Sequence, residues 1–256
     1  MSLLVTEQNF IDLKVKGYTV VPNVLTPVEC DETIGQYKEW LSQFGKDDWP
    51  QTRHSLIQAY NTGHMRPTWF VRLKAAQVFQ EVWGTDKLLT SFDAIAIGRP
   101  PEEGEEAFQK PDSHWLHVDQ SAFRIGLHAY QGAVYLEESC EDDWTMHLME
   151  GSHNHFNLIY ENSPKARITS NINGYWGVKK EDIKKMEDRG CAIKRVPVPK
   201  GGIVLWDSRL IHANARPLEG RKNPGRWRYC VFVSMTPAIW ASKEDMRVYI
   251  YFDKIM

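Results

Sequence analysis

The chain has 256 residues, 42% of them hydrophobic and 25% charged, with a formal net charge of −2. That balance describes a compact globular protein, and because one all-β or mixed domain commonly runs to roughly 200–250 residues, a single domain is expected. No basic run interleaves with aromatics, so nucleic acid is not expected as a partner, and no window nears the roughly 18 apolar residues of a membrane span.

The opening MSLLVTEQNFIDLKVKG has too short an apolar stretch for a signal peptide, with Glu7 and Asp12 interrupting it. Gly17 to Pro22 then reads as a short β-branched strand. Thr26-Pro27-Val28-Glu29 supplies a helix start with an N-cap, a proline in the first turn and a capping-box glutamate. Cys30, Ile34, Tyr37, Leu41 and Phe44 follow at helical spacing as a core face, with Gly45 as a candidate C′ residue. A second helix is predicted from Val71 to Trp83, with Leu73, Ala76, Phe79 and Trp83 on its buried side and Gly84 as its stop. Residues 1–87 therefore read as a helical flank.

From Leu88 the texture changes to short β-rich runs: LLTSFDAIAI, HWLHVD, AYQGAVYLE, WTMHLM, IKRVPV, IVLWD and WRYCVFVSM. Several strands with polar connections predict a mainly β fold, and a double-stranded β-helix (jelly roll, cupin-like) over 88–256 with the helical region packed on it is the natural candidate. Two connections are long. Arg99 to Asp112 carries four glutamates, readable as a solvated loop or a lid, and 154–190 is an insertion whose second half, VKKEDIKKMEDRG, reads as a charged surface helix ending at Gly190. The scattered cysteines Cys30, Cys140, Cys191 and Cys230 show no metal spacing and read as free thiols, which makes a cytoplasmic location the expectation.

In His117-Val118-Asp119 the two polar residues are two apart, so a strand presents both on one face. Alone that spacing is common. GGIVLWDSRLIHANA adds a third ligand, His212, in a later strand-like segment. Two histidines and a carboxylate on one face of iron leave three adjacent coordination positions, as a bidentate oxo-acid and dioxygen together require. Such a cosubstrate also needs a cation at its far carboxylate, and arginine suits because its fork donates two parallel hydrogen bonds. RWRYCVFVSM offers Arg228, which shares a strand face with Cys230 and Phe232, while Arg226 has the same parity nearer the start and stays open as the alternative.

These blocks, with GYTVVPNVLTPVEC, VWGTDKLLTSFDAIAIGRPP, LMEGSH and GRWRYCVFVSMTPA, resemble the phytanoyl-CoA dioxygenase family of iron(II)/2-oxoglutarate oxygenases over most of the chain. The resemblance implies Fe(II) at His117, Asp119 and His212, 2-oxoglutarate and O2 as cosubstrates, and Arg228 on the distal carboxylate. In the family the arginine follows the second histidine more closely; here RPLEGRKNPG lengthens the connection and leaves both arginines in play. Where many relatives carry a small hydroxyl residue two after that histidine, this chain has Asn214, a candidate donor to the same carboxylate, and Gln131 is a candidate contact to cosubstrate or substrate.

The implied reaction is hydroxylation of a small molecule, or a related desaturation or ring closure, with release of succinate and CO2. Halogenating relatives replace the ligand carboxylate with a small residue, so Asp119 argues against halogenation. Trp69, Trp115, Tyr135 and Trp206 are candidates to line the pocket, and Arg209 either reaches a substrate acid or braces its loop. The alternatives are a jelly-roll protein that binds metal or ligand without turnover, and a cupin-type site built on His153 and His155.

Overall fold

The structure, a computed structural model, describes residues 3–50, 52–111 and 113–246. Residues 1, 2 and 247–256 of the expected domain, and Asp112 at the end of the acidic connection, lie outside the described residues. The chain begins with helix α1 (Glu7–Val15), strand β1 (Tyr18–Val21) and helix α2 (Pro27–Leu41). Helix α1 escapes a hydropathy reading because only Asn9 and Leu13 are buried; what starts it is a reciprocal cap between Thr6 and Asn9. The predicted Thr26–Glu29 capping box of α2 is present, but that helix ends at Leu41 with Ser42 as its cap, so Gly45 plays no part in stopping it.

Helix α3 (Arg66–Trp83) starts earlier than expected, with Pro67 in its first turn, and stops at Gly84 in the left-handed region as expected. Its buried face carries Thr68, Val71, Arg72, Ala75, Val78 and Phe79. The predicted face is rotated from this one, since Leu73 is 68% exposed. Burial of Thr68 and Arg72 explains the error: the Arg72 terminal nitrogens donate to the carbonyls of Gly63 and Asp93, and Thr68 donates to Thr62 O, so polar residues occupy a core stripe with all of these groups but Arg72 Nε paired.

Two antiparallel sheets follow, forming a jelly roll with flanking helices. The larger has the order β1-β10-β6-β12-β4-β2, where β2 is Leu56–Ile57, β4 Ile95–Gly98, β6 Tyr130–Tyr135, β10 Ile203–Asp207 and β12 Arg228–Pro237; β3 (Leu88–Thr90) also pairs with β12. The smaller has the order β8-β5-β11-β7-β9, where β5 is His117–Val118, β7 Thr145–Glu150, β8 Trp176–Gly177, β9 Ala192–Val196 and β11 His212–Ala215. Because β1 and β2 belong to the larger sheet, residues 1–87 are more than a helical flank.

Strand alternation sorts the core into layers. Along β12, Tyr229, Val231, Val233 and Met235 face a cluster that includes Cys30, Ile34, Tyr37, Val71 and Phe79 of α2 and α3. Cys230 and Phe232 face inward to meet Ala133 and Tyr135 of β6, Met146 and Leu148 of β7, and Val204 and Trp206 of β10. The outer face of the smaller sheet is covered by the 154–190 segment, which contains part of a 3-10 stretch (Ser152–Ile159), α4 (Pro164–Asn173) and α5 (Lys180–Glu187). Helix α5 matches the predicted charged helix, but it also buries Ile183 and Met186, so its inner face is core.

The acidic connection is not a freely solvated loop. Glu102 takes two hydrogen bonds from Arg221, Glu103 accepts from Trp227 Nε1 at 2.9 Å, and Glu106 pairs with Arg216. Among the described residues no helix is long and apolar enough to cross a membrane.

Candidate metal centre and cosubstrate pocket

Strand β11 lies between β5 and β7, and its register sets His212 directly opposite His117. The two imidazole centroids are 4.4 Å apart. Strand β5 ends at Val118, so Asp119 stands on the bend that follows; its carboxylate lies 3.3 Å from His117 Nε2 through Oδ1 and 3.3 Å from His212 Nε2 through Oδ2. One ligand atom from each of the three residues falls within 4.8 Å of the other two.

The backbone decides which imidazole nitrogen faces the centre. His117 Nδ1 lies 3.1 Å from Trp115 O and His212 Nδ1 lies 2.9 Å from Leu210 O. A carbonyl oxygen only accepts, so each Nδ1 carries the proton and each Nε2 turns a lone pair inward. Burial, with His117 beside it, lowers the His212 pKa and favours that neutral form. Burial would raise the Asp119 carboxyl, but contact with His117 and His212, which a proton on either Nε2 turns into a charge-assisted hydrogen bond, holds it well below its ordinary range. Three electron-pair donors aimed at one point repel one another unless a cation takes the pairs, and this donor set fits a divalent transition metal.

Gln131 braces the arrangement, since its Nε2 donates to Asp119 Oδ2 at 2.9 Å. The opposite amide orientation would set oxygen against carboxylate, so the assignment follows from the partner. Gln131 Oε1 is buried without a partner, as is Trp206 Nε1. Around these groups is a cavity of about 150 Å³ lined by the triad together with Gln131, Asn214, Trp115, Trp206, Phe232, Asp93 and Gln58.

The two arginines are placed differently. Arg228 is 2% exposed and points into the barrel, where its terminal nitrogens donate to Tyr135 Oη at 2.9 Å and Ser55 Oγ at 3.2 Å while Nε is buried and unpartnered. Arg226 instead pairs with Asp143 and Glu138 in a network shared with Arg221, and neither arginine is among the residues that line the cavity of the triad. Asn214 lines the cavity and donates to His54 O at 3.1 Å.

Of the four aromatics expected in the pocket, Trp115 and Trp206 line it; Tyr135 lies under Arg228, and Trp69 packs edge-on to Phe92. Arg209 braces its own loop through a two-pronged bond to Asp207. His153 has a ring nitrogen 3.1 Å from Lys14 O and packs where a side chain at Gly17 would stand, and it belongs to no ligand cluster among the described residues.

Sequence reasoning missed His54, Gln58 and Asp93. His54 stacks on Trp115 at 4.6 Å, and Trp115 in turn stacks on His117 at 4.4 Å, which fixes the ligand ring from its outer face. The one local cue is weak: His54 precedes β2 with φ 53, a left-handed conformation set by an irregular loop rather than by a motif.

Similarity to known proteins agrees with this geometry. The chain is 26% identical over 254 residues to Ava biosynthesis cluster protein O of Aspergillus versicolor, which covers 92% of this chain and 79% of that protein. Its fold resembles EctD from S. alaskensis, solved with 2-oxoglutarate and 5-hydroxyectoine, at a TM-score of 0.61 and 13% identity over 93% of this chain and 78% of the other. It also resembles SnoK, a non-haem α-ketoglutarate-dependent carbocyclase from nogalamycin biosynthesis, at a TM-score of 0.59 and 15% identity over 91% and 85%. The family model for phytanoyl-CoA dioxygenase matches residues 13–216, most of the chain. The chain thus belongs to the phytanoyl-CoA dioxygenase family and is a non-haem iron(II) enzyme that uses 2-oxoglutarate and dioxygen.

Proposed function

We propose that this enzyme oxidises a small-molecule metabolite at carbon, by hydroxylation in the simplest case, with His117, Asp119 and His212 holding the iron. The observation that carries the reading is the convergence of two Nε2 lone pairs and one carboxylate on a single point in a lined cavity. For hydroxylation the balance is one C–H bond, one 2-oxoglutarate and one O2 consumed, and one alcohol, one succinate and one CO2 formed. Iron bound here supplies the capacity to activate dioxygen against a C–H bond at the expense of the cosubstrate.

The chain's own residues have three tasks. Trp115 and His54 stack behind His117, and the Trp115 and Leu210 carbonyls fix both ligand tautomers, so the donor atoms are aimed before any metal arrives. Arg228 is proposed to receive the distal carboxylate of 2-oxoglutarate, in preference to Arg226, because it is buried in the barrel with Nε unpartnered whereas Arg226 is committed to Asp143 and Glu138. Trp206, Phe232 and Trp115 give the cavity apolar walls that limit water around the reacting carbon. Held on iron as proposed, the carboxylate of Asp119 would fill the ligand position that halide transfer needs free.

The test is succinate release by purified protein with Fe(II), 2-oxoglutarate and O2, with Asp119→Ala and Arg228→Gln beside the wild type. Wild type forms succinate; Asp119→Ala falls to background, and Arg228→Gln retains iron but needs about 10–100 times more 2-oxoglutarate, the loss of one buried charge-assisted pair. Wild-type succinate no higher than that of Asp119→Ala would leave only a binding role.

A further inference from the structure

Asp93 is a second carboxylate in the cavity, and the metal centre does not use it. It lies in the irregular segment between β3 and β4 and lines the same cavity as the triad and Gln131. The hydrogen bond to its carboxylate comes from Ser91 Oγ. Among the described residues no cationic side chain forms an ion pair with it. Arg72 is near enough to act on its charge, but both terminal nitrogens of Arg72 are spent on the backbone carbonyls of Gly63 and Asp93. Burial pushes the Asp93 carboxyl up, against the opposing effects of Ser91 and Arg72, which marks a charge set down without full compensation.

The polar groups left over in the cavity are one donor, Trp206 Nε1, which is buried without a partner, and two acceptors. Gln131 Oε1 is a buried acceptor without a partner, and the Asp93 carboxylate is a second acceptor with capacity to spare. The remaining walls are mainly aromatic or apolar, Trp115, Trp206 and Phe232 among them, with Gln58 and Asn214 as further polar residues. A group that donates several hydrogen bonds, carries positive charge and tolerates aromatic faces answers all three features, because aromatic faces attract cations and a buried carboxylate is costly unless paired.

From this we propose that Asp93 is a specificity-determining residue that receives a protonated amine of the substrate, with Gln131 Oε1 as its second acceptor. The inference rests on reading the cavity beside the triad as the reaction chamber. It narrows the substrate to a cationic small molecule, a nitrogen base with an apolar body, and sets against it neutral polyols and anionic acyl compounds.

The test uses matched probes that differ in charge. Phenethylamine and its neutral counterpart phenethyl alcohol are titrated by ligand-observed NMR into protein carrying Fe(II) and 2-oxoglutarate under argon, and again into metal-free protein. In the wild type the amine binds more tightly by about tenfold or more, the size of one charge-assisted hydrogen-bonded pair. Asp93→Asn loses this preference, and Ser91→Ala, which keeps the carboxylate, retains it. Uptake of Fe(II) and 2-oxoglutarate, followed by visible charge-transfer absorption, is the same in all three proteins.

Equal binding of amine and alcohol by wild type, no binding of either, or a preference that survives in Asp93→Asn overturns the proposal. The wild-type ratio stands even if a variant fails to fold. A wild type that takes up no iron or 2-oxoglutarate defeats the oxygenase reading instead, and the amine preference is then read on the metal-free protein alone.

Discussion

Gln131 shows how a residue outside the ligand set can govern the metal. Its single hydrogen bond to Asp119 Oδ2 fixes the carboxylate that bridges the two histidines, and loss of such a partner commonly costs about 10–100-fold in metal affinity. Gln131→Leu is therefore expected to weaken Fe(II) binding by about that factor while leaving thermal stability of the metal-free protein nearly unchanged, measured by competition with a chelator of known affinity. The grouping of His117, Asp119 and His212 and the inward placement of Arg228 were legible because period-two alternation and residue chemistry are local properties of the sequence. Asp93 and His54 were not, because nothing in LTSFDAIAI or QTRHSLI shows that two distant loops close over one cavity. The same limit applied to Arg226 and Arg228: strand parity allowed both, and the ion pairs of Arg226 with Asp143 and Glu138 appear only in the fold.

His147 carries a pH dependence of its own. It is 7% exposed on β7, its Nε2 has no partner, and burial, with Arg195 nearby, pushes its pKa down from 6.5 to about 3. The folded protein therefore keeps His147 neutral, and its contribution is complete above 6.5 and lost as pH falls towards about 3, because the unfolded chain takes up a proton that the folded chain refuses. One group supplies at most about 1.4 kcal/mol per pH unit, so acidification from pH 6.5 to about pH 5 removes up to about 2 kcal/mol. In thermal melts of wild type and His147→Gln at about pH 7 and about pH 5, wild type should lose roughly 4–8 °C more than the variant. Parallel losses in the two proteins would mean that His147 is protonated in the fold without penalty.

At the scale of elements, the tight turn before β10 is where backbone conformation and packing meet. Gly201 has φ +75, its N–H donates to Tyr135 O, and its own carbonyl accepts from both Val24 and Leu25. A Cβ there would stand 2.2 Å from the Leu25 carbonyl oxygen, and backbone cannot step aside as a side-chain tip can. Gly220 has nearly the same dihedral, φ +73, but open space around it. Gly201→Ala and Gly220→Ala thus share the conformational cost, roughly 1 kcal/mol, and differ in the clash. Urea unfolding should show Gly201→Ala destabilised by more than about 2 kcal/mol beyond Gly220→Ala; equal losses would show that the α2 entry relaxes freely. Gly201-Gly202 was readable as a turn, as was the Thr26 capping box, because both are short-range chemistry. The face of α3 was not, since Arg72 looks solvent-bound until the carbonyls of Gly63 and Asp93 are placed beside it. Nor were β2 and β8, two residues each, which exist only through their partners β4 and β5.

For the whole molecule, the division of labour between the two sheets decides what binding does to stability. The larger sheet is covered by α2 and α3 on one face and contributes Gln131, Trp206 and Arg228 to the interior, whereas both histidine ligands come from the smaller sheet, where β5 and β8 are two-residue strands. Iron held as proposed would tie β5 to β11 through His117 and His212, and 2-oxoglutarate received by Arg228 as proposed would tie the smaller sheet to β12 of the larger. Both ligands then bind the folded chain and not the unfolded one, and each at about 100 times its dissociation constant adds about 2.7 kcal/mol. Because 1 kcal/mol shifts the melting temperature of a chain of this size by about 2–4 °C, Fe(II) alone should raise it by roughly 5–10 °C under argon, and 2-oxoglutarate should add a further rise only when the metal is present. Arg228→Gln should keep the first rise and lose much of the second, and Asp119→Ala should lose both. A 2-oxoglutarate shift that persists without metal would instead locate the oxo-acid away from the triad and break the link between the two sheets.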